Sequence, residues 1–106
     1  MINYQEFAKM EIKIATILEA ERVPNTDKLI KLIVDMGGEK RQLVAGIGMK
    51  YEPKDIIGKQ TPVLANLEPA KIRGVESKGM ILAADSSGTP IMLSPLEKVP
   101  EGSKVK

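Results

Sequence analysis

The strongest constraint in this chain is a period of two. Apolar and polar residues alternate over short stretches, most of which end at a Gly, Pro, Asn or Asp. Ile12-Lys13-Ile14-Ala15-Thr16-Ile17 puts Ile12, Ile14 and Thr16 on one side and Lys13, Ala15 and Ile17 on the other. β-Branched residues dominate this stretch, and they fit a pleated, half-buried surface better than a helix. Leu29 to Asp35 repeats the pattern, with Ile30, Leu32 and Val34 on one face. Gly37-Gly38 can adopt positive φ at a hairpin, so Glu39 to Ala45 reads as the return strand. Thr61 to Asn66 and Gly79 to Ala84 give a fourth and a fifth strand, and Thr89 to Ser94 a short sixth. Helical signals occur in two places only. Between Met1 and Met10, Asn3 and Glu6 have capping-box spacing, and Phe7 and Met10 share a face that can dock on a core. Pro53 to Gly58 allows one or two helical turns.

Short strands with a helical turn between the third and fourth predict an all-β fold with one domain over residues 1–106. The expected architecture is a five-stranded Greek-key OB-fold barrel with short helices and a C-terminal extension. An SH3-like barrel is the alternative. Glu19 to Asp27 reads as a polar turn, Leu67 to Gly79 as a charged loop, and Pro95 to Lys106 as a covering segment or an interface arm.

Composition removes most chemistry. Cys and His are both absent. Disulfides, thiolate metal sites, Cys nucleophiles, Ser-His-Asp triads and His-ligated metals are therefore excluded, and no cofactor or metal is expected. Glu19 with Glu21, and Asp27 with Asp35, sit among Lys and Arg and read as solvated faces. Ser77 and Lys78 are sequence neighbours, a poor arrangement for a Ser/Lys dyad. Gly46-Ile47-Gly48 lacks the remaining Gly of a dinucleotide loop and reads as a strand-end turn. The chain is expected to be non-enzymatic. No apolar run approaches the ~20 residues of a membrane helix. A basic start followed by an apolar signal region is also missing, so the chain is expected in the cytoplasm, with no membrane partner.

What remains is binding. Between Asn66 and Met80, Lys71, Arg73 and Lys78 oppose Glu68 and Glu76, so the local net charge is 3 − 2 = +1. Lys13, Lys28 and Lys31 form a second basic set around the first two strands. In an OB barrel, the loops joining strands one to two and four to five flank the oligonucleotide face. Both basic sets are thus expected on one groove. The only aromatics are Tyr4, Phe7 and Tyr51, and Phe7 is assigned to the core. Stacking platforms for single-stranded bases are therefore scarce, which favours a structured RNA read by shape through phosphate and 2′-OH contacts.

Asn66-Leu67-Glu68-Pro69-Ala70-Lys71-Ile72-Arg73-Gly74-Val75-Glu76-Ser77-Lys78-Gly79-Met80-Ile81-Leu82-Ala83-Ala84 resembles the NLxPxKxRGxxSxGMxLAA signature of the tRNA-binding OB domain. Phe7-Ala8-Lys9 with Ile12 to Ala15, the turn Pro24-Asn25-Thr26-Asp27-Lys28-Leu29, Val34-Asp35-Met36-Gly37, and Tyr51-Glu52-Pro53 with Ile57-Gly58-Lys59 match further family segments in order. The chain departs at Lys13, where Arg is usual, at Ala15, where Gly is usual, and at Ala45, where Ser is common. The resemblance implies a homodimer that holds the tRNA elbow without reading sequence. It also implies service to a methionyl-tRNA synthetase catalytic subunit as a free-standing β subunit. A secretion-type peptide-binding chaperone of the same fold is the alternative, with apolar contacts around Met49, Ile72 and Met80. Carried over to matching positions, Lys71 and Arg73 would hold phosphates, with Lys28, Lys31 and Lys78 as additions. Asn66 would either donate to RNA or cap its loop. Ser77 would donate to RNA or satisfy a turn. Met80 would pack against a sugar or base or lie in the core.

Overall fold

One long strand, β1 (Ile12–Arg22), organises the barrel in this computed structural model, which describes residues Met1–Lys106. Its first half pairs antiparallel with β4 (Gln60–Leu64) and its second half with β2 (Ile30–Asp35). The change of partner falls beside a bulge between Ile17 and Glu19. A bulge bends its strand, and that bend lets β1 serve two sides of a closed sheet. The path runs β3 (Lys40–Ala45), β2, β1, β4, β7 (Met80–Ile81). Closure comes from the chain just before β7. The Lys78 N–H donates to the Gln42 carbonyl at 2.9 Å, and the Val44 N–H donates to Ser77 Oγ at 2.9 Å. The result is a nearly closed, OB-like β barrel, as the strand count implies. No helix is long and apolar enough to cross a membrane.

The interior is aliphatic. Ile17, Ile30, Leu32, Leu43, Val34 and Val63 are wholly buried. Each such side chain contributes about 1.5–3 kcal/mol relative to an exposed one. Alternation explains which face turns inward on β2, where Ile30, Leu32 and Val34 are buried and Lys31, Ile33 and Asp35 are not. In β1 both faces are partly buried. Ala15 and Ile17 belong to the core cluster, whereas Ile12 and Ile14 lie under the C-terminal segment. That segment therefore runs alongside the start of β1 as part of the barrel sheet. Its last strand, β10 (Lys104–Val105), pairs with Ile12 and Lys13, and Ile14 exchanges hydrogen bonds with Gly102 and Ser103 at 2.7 and 2.8 Å.

Four expectations need correction. The stretch after Ile17 is strand to Arg22, because Ala20 packs on the core while Glu19 and Glu21 alternate outward. The charged loop contains a hairpin of β5 (Ala70–Ile72) and β6 (Val75–Ser77). The fifth strand breaks at Leu82. Its second part, β8 (Ala83–Ser86), leaves the barrel and pairs with β9 (Thr89–Met92). Finally, Phe7 is not a core residue. α1 (Tyr4–Phe7) has the expected Asn3/Glu6 capping box, but none of its residues is buried, and the Phe7 ring lies 6.4 Å from that of Tyr4. The second helix, α2 (Pro53–Ile56), starts at Pro53 and buries Ile56.

Candidate nucleic-acid interface

Two segments more than forty residues apart meet on one side of the barrel. The β1–β2 loop supplies Lys28, and the β5–β6 hairpin supplies Lys71 and Arg73. All three are exposed and line a single groove of about 630 Å³ with Asn25, Thr26 and Asp27. Lys28, Lys71 and Arg73 have no carboxylate within ion-pair distance, whereas Arg22, Lys31, Arg41 and Lys78 are each bound to a glutamate. Only Asp27 offsets the three cations in the groove. Surface ion pairs are worth little to stability. Cations left unpaired along one groove are instead available to an anionic ligand.

Local structure holds these cations in place. Arg73 and Gly74 form the two-residue loop of the β5–β6 hairpin, with φ of 52° and 80°. Positive φ at both positions is the pattern of a type I′ turn, where Asn-Gly is preferred and an Arg costs about 1 kcal/mol. The hairpin thus carries a strained cation at its tip. The Arg73→Asn substitution is expected to stabilise the fold by about 1 kcal/mol in chemical denaturation. RNA affinity is expected to fall at the same time, about eightfold at 0.1 M salt, the worth of one phosphate contact. Loss of stability together with unchanged affinity would contradict this.

The β1–β2 loop is anchored from beneath. Arg22 Nη1 donates to the carbonyls of Asp27 and Gly48, both at 2.8 Å, and Nη2 reaches Glu52 at 3.1 Å. The Gly48 N–H donates to the Lys28 carbonyl at 2.7 Å. A Cβ on Gly48 would lie 2.5 Å from the Asp27 carbonyl oxygen. Gly46-Ile47-Gly48 forms the strand-end turn that its glycines predict, and the turn also clamps the loop that bears Lys28. Neither Arg22 nor Gly48 stood out in the sequence, because their task is set by a contact across the barrel. Arg41 was missed for the same reason. It joins the carbonyls of Ala65 and Lys78 while pairing with Glu39.

The remaining candidates divide. Lys31 is tied to Glu21 at 2.8 Å and lies outside the groove. Lys13 sits at the other end of β1, opposite Val63 and Lys104, so it does not flank this face. Lys78 pairs with Glu76 at 3.7 Å and lines a separate polar depression with Lys40 and Arg41. The Asn66 amide is spent on the chain, donating to the Lys9 carbonyl at 2.7 Å and accepting from the Glu11 N–H at 2.9 Å. Ser77 is buried, and its hydroxyl accepts from Val44 and donates to Gly79. These two polar groups are therefore engaged within the fold, Ser77 from the wall of an apolar cleft. Met80 is not core; it is 46% exposed and lines an apolar cleft with Ile72 and Leu67. Met49, also exposed, lies outside that cleft.

Residues 12–104 match a family profile described as "Putative tRNA binding domain". A methionine–tRNA ligase from Methanothrix thermoacetophila is 49% identical over the whole chain, and one from Methanococcus aeolicus is 52% identical over 99% of it. The chain spans about 16% of the length of these relatives. Among solved structures, a MetRS-related protein from Pyrococcus horikoshii superposes with a TM-score of 0.95 at 38% identity, covering 100% of this chain and 98% of that one. The chaperone CsaA from Bacillus anthracis gives a TM-score of 0.90 at 30% identity, covering 100% and 99%. A barrel of this topology, matched along almost its whole length by that profile, belongs to the tRNA-binding domain family and is related to a domain of methionine–tRNA ligases.

Proposed function

We infer that the chain grips folded tRNA at the groove of Lys28, Lys71 and Arg73, by shape and phosphate charge, on the outer elbow of the molecule. The observation that supports this is the meeting of three unpaired cations from two distant segments. The chain itself performs no chemistry. It acts in the cytoplasm as an auxiliary β subunit for a methionyl-tRNA synthetase catalytic subunit, holding the substrate at a second point and raising its effective concentration. The working unit is a homodimer. Met1, Ile2 and Tyr4 at one end of the chain and Leu93 and Leu96 near the other are exposed apolar side chains that a second copy would cover. Among the remaining candidates, Lys31 and Lys78 would join only after releasing their glutamates, and Asn66 supports the site from behind.

Filter binding of bulk tRNA across a salt series, against an unfolded apolar peptide as competitor, tests this reading. Affinity should fall steeply and linearly on a log–log plot, and the peptide should not compete. Salt-insensitive binding displaced by the peptide would instead support the chaperone reading, which the apolar cleft beside Met80 favours. Light scattering at micromolar concentration should give twice the chain mass; a monomer would remove the dimer.

A further inference from the structure

The apolar cleft beside Met80 adjoins the cationic groove, and the two share structure. The cleft holds about 330 Å³, and nine of its fourteen lining residues are hydrophobic. Ile72 lines both cleft and groove. Lys28 stands between them. It lines the groove and also a shallow depression that shares Gly46, Ala83 and Pro90 with the cleft and is completed by Ala84, Asp85 and Gly88. Its aliphatic stem lies along Gly46, with Cε 3.1 Å from where a Cβ would project. β5 divides in the same way. Side chains alternate along a strand, so Ala70 presents to the cleft and Lys71 to the groove, while Ile72 borders both.

We propose that an unstacked nucleobase of the bound RNA docks in this cleft while its flanking phosphates lie in the groove. The inference rests on the tRNA reading given above and assigns the cleft its occupant. A nucleotide has the same division as β5: an anionic phosphate on one side and an apolar-faced base on the other. Glu68 is the only charged residue lining the cleft. Its carboxylate repels phosphate, so the backbone is kept to the groove and the base is the part that enters. With no aromatic side chain lining the cleft, the base is held between alkyl and thioether groups. Met80 supplies a polarisable sulfur suited to an aromatic face. An apolar peptide side chain would fill the same volume but make no use of the three unpaired cations in the adjoining groove.

The test uses the whole chain with its methionine methyl groups labelled for NMR, plus an Ala70→Leu variant that narrows the cleft. Ala70 is exposed, so the added volume does not enter the core. Bulk tRNA should move the Met80 methyl upfield by the ring current of a stacked base and should also shift the Lys71 amide. A short blunt-ended RNA duplex, whose bases stay paired, should shift Lys71 and leave Met80 unmoved. Ala70→Leu should weaken tRNA binding about tenfold while the salt slope stays unchanged, because base stacking and phosphate contacts are separate contributions. The proposal is overturned if tRNA shifts Lys71 but not Met80, or if Ala70→Leu binds as tightly as the natural chain. Movement of Met80 by an apolar peptide and not by tRNA would give the cleft to a peptide. If tRNA moves neither Met80 nor Lys71, the groove assignment falls first and the nucleobase site with it.

Discussion

Replacing Lys28, Lys71 and Arg73 together by Ala should lower the magnitude of the log–log salt slope for tRNA binding by nearly three. Each phosphate contact on a duplex-like backbone contributes a slope of about 0.9. With the non-electrostatic affinity unchanged, three lost contacts weaken binding roughly 500-fold at 0.1 M salt, since each is worth about eightfold there. The effect should be additive in the slopes, so each single substitution should remove about one. Stability should change little, because none of the three side chains is buried or ion-paired. Lys31→Ala is the internal comparison. Its ammonium already holds Glu21 at 2.8 Å, so its removal should leave the slope within experimental error of the natural chain. A triple variant with an unchanged slope, or a Lys31 variant with as large a loss as Lys71, would show that RNA lies elsewhere on the barrel.

The sequence made the barrel legible because its main signal is local. Alternation in Ile30 to Val34 and the Gly37-Gly38 turn each act within a few residues, and the observed hairpin follows them. Legibility ended where partners come from afar. Glu19 and Glu21 look like turn residues, yet β2 lies alongside and keeps β1 extended through Arg22. Ile12 and Ile14 needed the tail to explain their burial, and nothing in their own stretch announces it. At the site, charge type was readable and charge availability was not. Lys31 and Lys71 look alike in sequence, and only the position of Glu21 separates them. Asn66 and Ser77 belong to the family signature and read equally well as ligand donors or as loop supports. Hydrogen bonds to Lys9, Glu11, Val44 and Gly79 give both a supporting role in the fold, which no local pattern announces. Arg22, Gly48 and Arg41 could not be found beforehand, since each acts on a carbonyl twenty or more residues away.

Gly48→Ala should damage stability and binding together, and for one reason. A Cβ there would meet the Asp27 carbonyl oxygen at 2.5 Å, Arg22 Nη1 at 2.7 Å and the Lys28 carbonyl carbon at 2.9 Å. Two of these neighbours are backbone, so relief requires moving the β1–β2 loop away from the turn after β3. That movement breaks the 2.7 Å hydrogen bond from Gly48 to Lys28 and strains the two carbonyl bonds of Arg22. Overpacking of this kind costs about 2 kcal/mol. In a domain of this size, that lowers the melting temperature by roughly 10 °C. The displaced loop carries Lys28 out of the groove, so the salt slope should also fall by about one. Gly46→Ala separates the two consequences. A Cβ at Gly46 meets only the flexible stem of Lys28, at 3.1 Å, and no backbone. Its melting temperature should stay within a few degrees of the natural chain, as for surface substitutions worth less than about 0.5 kcal/mol. Equal melting temperatures for the Gly48 variant and the natural chain would mean that the loop yields freely, and then the clamp under Lys28 has no energetic content.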